Sequence, residues 1–160
     1  MLFEKELVYI LKKRKETVAT AESCTGGMIV SSIVSVPGAS DILTESFVTY
    51  SEETKDQILH LDPSIIEDHG VVSYETAKAM AEGLRKTYGV DLGIASTGVA
   101  GPGPDGDIPQ GIVYLAVSYR SKTLVRRYHF HGTRNLVRFQ ASRMALSMAV
   151  SIIKEVSICV

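Results

Sequence analysis

Apolar positions along the 160-residue chain follow two rhythms. Phe3, Leu7, Ile10 and Leu11 recur at the spacing of one helical face and predict a helix over 2–15. The β-branched run "TVATA" (17–21) reads as a strand that stops at Ser23. Helical spacing returns from Thr25 to about Val36, where Pro37 and Gly38 end it. "ESFVTY" (45–50) predicts a second strand. Ser51 then caps a short helix with Glu52 and Glu53 in its first turn, where the dipole favours negative charge, and Lys55 one turn inside. Pro63 opens another short turn. Val72, Ala77, Met80, Ala81 and Leu84 mark a strongly periodic helix capped by Ser73 and closed by Gly89. "DLGIAST" (91–97) reads as a strand, and "GVAGPGPDGDIPQG" (98–111) as a long glycine- and proline-rich loop. "IVYLAVSY" (112–119) and "TLVRRYHFH" (123–131) follow as a hairpin pair, the second alternating as an edge strand does. Residues 133–154 form a closing helix. Helices before, between and after short strands predict a single α/β layered domain spanning 1–160.

Composition removes several functions. Apolar residues make up 45% and charged residues 22%, with a formal net charge of −1, so nothing electrostatic calls for a nucleic-acid or membrane partner. Tryptophan is absent and aromatics are 7%, a poor basis for base-stacking platforms. No apolar stretch approaches the roughly 18 residues of a bilayer span. The first residues, "MLFEKELVYILKKRKE", read as an amphipathic helix rather than a signal peptide. The two cysteines, Cys24 and Cys159, form no C-x-x-C pair and predict reduced thiols in a cytoplasmic protein.

The stretch "AESCTGGM" (21–28) is the first candidate for chemistry. A strand that turns into a helix through Gly26 and Gly27 leaves unpaired N–H groups at the positive helix end. Those donors suit a phosphate or the oxyanion of an acyl-transfer intermediate, with Ser23 placed as a nucleophile beside them. Alternatively, Ser23 and Thr25 cap the helix and the glycines allow close packing. No Gly-Lys-Ser/Thr follows, so the turn is not a Walker loop, and "GVAGPG" lacks the dinucleotide order.

A nucleophilic serine needs a base. His60, His69, His129 and His131 sit in no motif. His129 and His131 could face one side of a strand and bind metal, but no carboxylate or thiolate cluster accompanies them. Lysine is the other route: "TYSEETK" sets Tyr50 at a strand end and Lys55 one turn into the next helix, so both can point at one cleft. A free lysine, with a pKa near 10.4, is only about 0.1% neutral near pH 7.5. A base must titrate at roughly 7–8, a shift worth about 3–4 kcal/mol, and burial pushes that way. A solvated surface lysine fits the same spacing.

Arg134 and Arg138, four apart at the start of the last helix, share a face. Cations are disfavoured there, which either a bound phosphate or carboxylate partners would reconcile. Thr97, Gly98 and Gly101 open a loop whose length and glycine count favour a ligand.

In order, "AESCTGG", "VPGAS", "FVTYSEETK", "HGVVS", "TGVAGP" and "GIVYLAV" resemble the CinA C-terminal domain family, from about residue 3 to residue 153. The resemblance implies a single three-layer α/β/α domain with a mixed central sheet, usually a homo-oligomer. Stand-alone members are nicotinamide mononucleotide deamidases, amidohydrolases that need no cofactor and no metal and release nicotinate mononucleotide and ammonia. Carried over by motif, Ser23 is the nucleophile and Lys55 its base, while Tyr50 orients the lysine or relays a proton. Amides of the turn formed by Cys24, Thr25, Gly26 and Gly27 would hold the oxyanion. Thr97, Gly98 and Gly101, with Arg134 or Arg138 of an "R-x-x-V-R" stretch, would take ribose and phosphate.

The chain departs from that pattern at Ser46, where relatives often have glycine, and at Tyr74, where they often have glutamate. Its loop at 101–111 is also shorter than the usual "P-V-G" loop. Larger family proteins carry an additional N-terminal pyrophosphatase-type domain, whose activity is not expected of these residues. Three alternatives remain at this point: a non-catalytic nucleotide-binding module linked to competence or DNA damage, an amidohydrolase for another small amide, and Cys24 as the nucleophile.

Overall fold

Among the described residues five short strands form one sheet in the order β2-β1-β3-β4-β5. They are β1 (Val18–Glu22), β2 (Leu43–Val48), β3 (Leu92–Gly98), β4 (Ile112–Tyr119) and β5 (Lys122–His129). β1 pairs in parallel with β2 and β3, while β4 runs antiparallel to both β3 and β5, so the sheet is mixed. The structure is a computed structural model that describes residues 2–158. Cys159 lies outside the described residues.

Among the described residues six helices cover the two faces: α1 (Phe3–Arg14), α2 (Met28–Val34), α3 (Glu52–Leu59), α4 (Pro63–His69), α5 (Tyr74–Tyr88) and α6 (Arg134–Ile158). On one face Leu7 and Leu11 of α1, Ile29 and Ile33 of α2, and the inner side of α6 pack on Ile94, Leu115 and Val117. On the other, Ala77, Met80, Ala81 and Leu84 of α5 pack on Ala19, Ala21, Ala95 and Ala116. Strand alternation sorts residues by size, large toward α1/α2/α6 and small toward α5. The small side lets α5 come close: a Cβ at Gly93 would lie 2.3 Å from the Ala81 carbonyl oxygen. The result is the expected α/β/α arrangement.

Several expected bounds move. α2 begins at Met28 rather than Thr25, because Gly26 and Gly27 have positive φ and spread the turn. The short turn at Pro63 is a helix, with the Asp62 side chain accepting from the Ser64 amide and proline in the first turn. α6 continues to Ile158. By length and composition Arg134–Val156, mean hydropathy 1.2, is apolar enough to cross a membrane, which corrects the reading that no stretch approaches a span. Its hydrophobicity has a structural cause, since 56% of that segment is buried and its inner side forms core against the sheet, α1 and α2.

Strand order places the site. β1 lies between β2 and β3, and the chain leaves it on one face through α2 and returns to β3 from the other through α5. Such a switch in direction leaves a crevice outside the carboxyl ends of the strands, where α/β proteins bind ligands. Ser23 follows β1, and Thr97 and Gly98 end β3.

Candidate active site

A cleft of about 560 Å3 opens at those strand ends. Ser23 and Cys24 line it from β1, Tyr50 and Ser51 from the turn after β2, and Thr97 to Asp105 from the turn after β3, with Arg134 reaching in from α6. Ser23 is 8% exposed, and its amide donates to the Ser96 carbonyl at 3.0 Å, so strand pairing continues up to the turn.

The turn is built around Glu22, a residue the sequence reading passed over. Its carboxylate is fully buried. Oε2 accepts from the Thr25 hydroxyl at 2.7 Å and from the Gly27 and Ile29 amides at 3.0 Å, and Oε1 accepts from the Val30 amide at 2.8 Å. The acid thus satisfies the amides that open α2 and meets the positive end of that helix. The Thr25 hydroxyl also bonds Ser96 Oγ at 2.7 Å. Thr25 therefore holds β1 to β3 and does not face the cleft. The Gly26 amide donates to the Ser23 carbonyl at 3.1 Å. Both glycine amides are thus engaged inside the chain, and the Cys24 and Thr25 amides lie against the Cys24 sulfur.

Arg138 and Arg134 do different work. Arg138 Nε donates to the Cys24 carbonyl at 3.1 Å and Nη2 to the Thr25 carbonyl at 3.0 Å, while Nη1 reaches Asn135 Oδ1 at 3.3 Å. Arg138 clamps the serine turn to α6. Arg134 is exposed at the cleft. It donates from Nη1 to the Gly101 carbonyl and from Nη2 to Tyr50 Oη at 3.3 Å, bridging two walls of the cleft. Tyr50 itself is 66% exposed. Thr97 is fully buried and donates its hydroxyl to the Val71 carbonyl at 2.8 Å, fixing the segment before α5.

Lys55 is fully buried. Its Nζ donates to the Thr49 carbonyl at 2.7 Å and to the Ser51 carbonyl at 3.5 Å. The Thr49 amide in turn donates to the Glu22 carbonyl at 2.9 Å. The amine thus hangs from the residue that continues β2 alongside Glu22, the residue before Ser23, and Lys55 itself does not line the cleft.

Two rival site readings lose ground on geometry. Burial pushes the Cys24 thiol up to about 12, and the Glu22 carboxylate adds to that, so Cys24 stays a thiol rather than a thiolate. None of the four histidines lines the cleft. The His129 and His131 rings lie 4.6 Å apart at the end of β5, where His129 Nε2 meets the Gln110 carbonyl at 3.2 Å. Among the described residues no three potential ligand side chains cluster for a metal ion.

Residues 2–153 match the family model described as the CinA C-terminal domain. The chain belongs to this family. A putative competence-damage inducible protein from Moorella thermoacetica is 43% identical over 138 residues, 86% of this chain and 33% of that protein. A CinA-like protein from Thermotoga maritima is 41% identical over 144 residues, 89% of this chain and 35% of its own length. The chain spans about a third of the length of these curated relatives. Among solved structures, a CinA superfamily protein from Klebsiella pneumoniae superposes with a TM-score of 0.90 at 28% identity, covering 96% of both chains. A competence/damage inducible protein from Agrobacterium tumefaciens gives 0.89 at 30% identity, covering 93% of this chain and 92% of that one.

Proposed function

We propose that this chain is a serine amidohydrolase that converts the carboxamide of nicotinamide mononucleotide to the carboxylate, with release of ammonia. The observation that carries the reading is Lys55, a fully buried amine that donates to the carbonyl of Thr49, whose own amide donates to Glu22, the residue before Ser23. A neutral amine has two N–H bonds and one lone pair. In its neutral form Lys55 would carry a lone pair able to take the serine proton.

Ser23 Oγ attacks the carboxamide carbon as its proton passes to Lys55 Nζ. The carbonyl oxygen becomes an oxyanion beside the turn that opens α2. Collapse breaks the C–N bond, the nitrogen takes the proton from Lys55, and ammonia leaves an ester on Ser23. Water then attacks the ester and gives a proton to Lys55, which returns it to Ser23 Oγ as the acid departs. Arg138 holds the turn in register throughout. Arg134, the cation at the cleft, suits the substrate phosphate, which would displace its hydrogen bond to Tyr50.

Ammonia release from nicotinamide mononucleotide, nicotinamide and simple amides tests the reading. The mononucleotide is expected to turn over, and Ser23→Ala and Lys55→Met are expected to abolish turnover with binding retained. Equal rates on all the amides would discard nucleotide specificity. Full activity in Ser23→Ala would discard the nucleophile.

A further inference from the structure

Gln110 lies in the loop between β3 and β4 and does not itself line the cleft. Both ends of its side chain are used. Oε1 accepts from the Gly103 amide at 2.9 Å, and Nε2 donates to the Gly132 carbonyl at 2.9 Å. The side chain also packs directly on Gly101, where an added Cβ would come 2.3 Å from Gln110 Cδ and 2.6 Å from Oε1. Gly101 and Gly103, with Pro102, Pro104 and Asp105, are the cleft wall after β3. The same Gly101 carbonyl accepts from Arg134.

A wall rich in glycine is conformationally permissive and keeps one shape only where something ties it down. Gln110 ties it to Gly132, two residues before the start of the helix that carries Arg134. Wall and cation therefore share one frame. Ser23 follows β1 and Lys55 lies on α3, whereas the tie joins the loop after β3 to the segment before α6.

The geometry points to Gln110 as a positioning residue that sets substrate preference, shaping the Gly101–Asp105 wall that receives the non-reacting part of a mononucleotide. The inference rests on the amidase reading for its chemistry. An interaction with a part of the substrate that does not react is made equally in ground and transition states, so its loss raises KM and leaves kcat.

The test uses the full chain with Gln110→Ala and Gln110→Glu, nicotinamide mononucleotide as substrate, and thermal unfolding as a check of fold. Gln110→Ala removes both bonds. Gln110→Glu keeps an acceptor for Gly103, loses the donor for Gly132, and serves if the alanine variant does not fold. Expected is a KM raised about tenfold in Gln110→Ala and less in Gln110→Glu, with kcat within about twofold of the unmodified chain. A lowered Tm with unchanged KM would reduce Gln110 to a structural role and overturn the proposal, as would an equal fall in kcat and kcat/KM. Should the unmodified chain release no ammonia, the amidase reading falls, and calorimetric affinity for the mononucleotide decides for Gln110. Weaker binding by the variants supports it and equal binding overturns it. No binding by the unmodified chain overturns both.

Discussion

Glu22 concentrates more of the site's order than any other single side chain. Four donors converge on one fully buried carboxylate, three of them amides at the start of α2. Hydrogen bonds to a charged group each contribute about 1.5–3 kcal/mol, and replacing the acid leaves buried donors unmet. Glu22→Gln sets an amide NH2 against backbone N–H groups and is expected to cost about 2–3 kcal/mol, lowering Tm by roughly 5–10 °C. An unchanged Tm would mean that the turn is held by other means. Cys24, two residues on, makes the opposite prediction. Burial holds its thiol far above its ordinary 9.0, so at pH 8 iodoacetamide should leave Cys24 of the native protein unmodified by peptide mapping, with activity intact. Rapid labelling with loss of turnover would return Cys24 to candidacy. The sign of the linkage follows. The folded thiol stays protonated while the unfolded one ionises, so this group's stabilising contribution is full below pH 9 and falls as pH rises from about 9 to 12.

At the scale of elements, the arrangement depends on how closely α5 approaches the sheet. Gly93 faces Ala81 with no room for a methyl group. Gly93→Ala should displace α5 and cost about 1–3 kcal/mol, seen as a Tm lowered on the order of 5 °C. A variant as stable as the parent would show that α5 has slack. The same elements explain what the chain disclosed in advance. α1 and α5 bury one apolar stripe each, so their periodicity was plain in Leu7 and Leu11 and in Ala77, Met80 and Ala81. α4 buries none of its residues and left no such stripe, only its Asp62-Pro63 start. Ser23, Tyr50 and Arg134 were found as cleft residues because motif and strand ends bring them together. The motif singles out Lys55, but the spacing fits a solvated lysine as well, and its full burial was not legible. Glu22 and Gln110 were missed because their roles depend on partners set by turn geometry or by distant chain, as with Gly132. The spacing of Arg134 and Arg138 offers either as the phosphate ligand and says nothing about the carbonyls of Cys24 and Thr25 that Arg138 meets.

Across the whole molecule the two ends of the sheet differ. At the end away from the cleft, Tyr119 pairs with Leu92 and donates to Glu16 at 2.9 Å, while Arg14 Nη1 donates to the phenol oxygen at 3.0 Å and Arg120 Nη2 to Glu16 at 2.9 Å. Burial, and then the Glu16 carboxylate, raise the Tyr119 pKa, so the phenol remains a donor to Glu16. The other end keeps an open cleft, one exposed cation at its mouth and one buried amine outside its lining. The account depends on that amine being neutral beside Ser23 when substrate arrives. Titration of Lys55 by nitrogen-15 NMR of the unliganded protein, with the resonance assigned through Lys55→Arg, tests this most directly. The account predicts a midpoint near neutrality, well below the roughly 10.4 of free lysine. A Lys55 still fully cationic at pH 9 and above would contradict it.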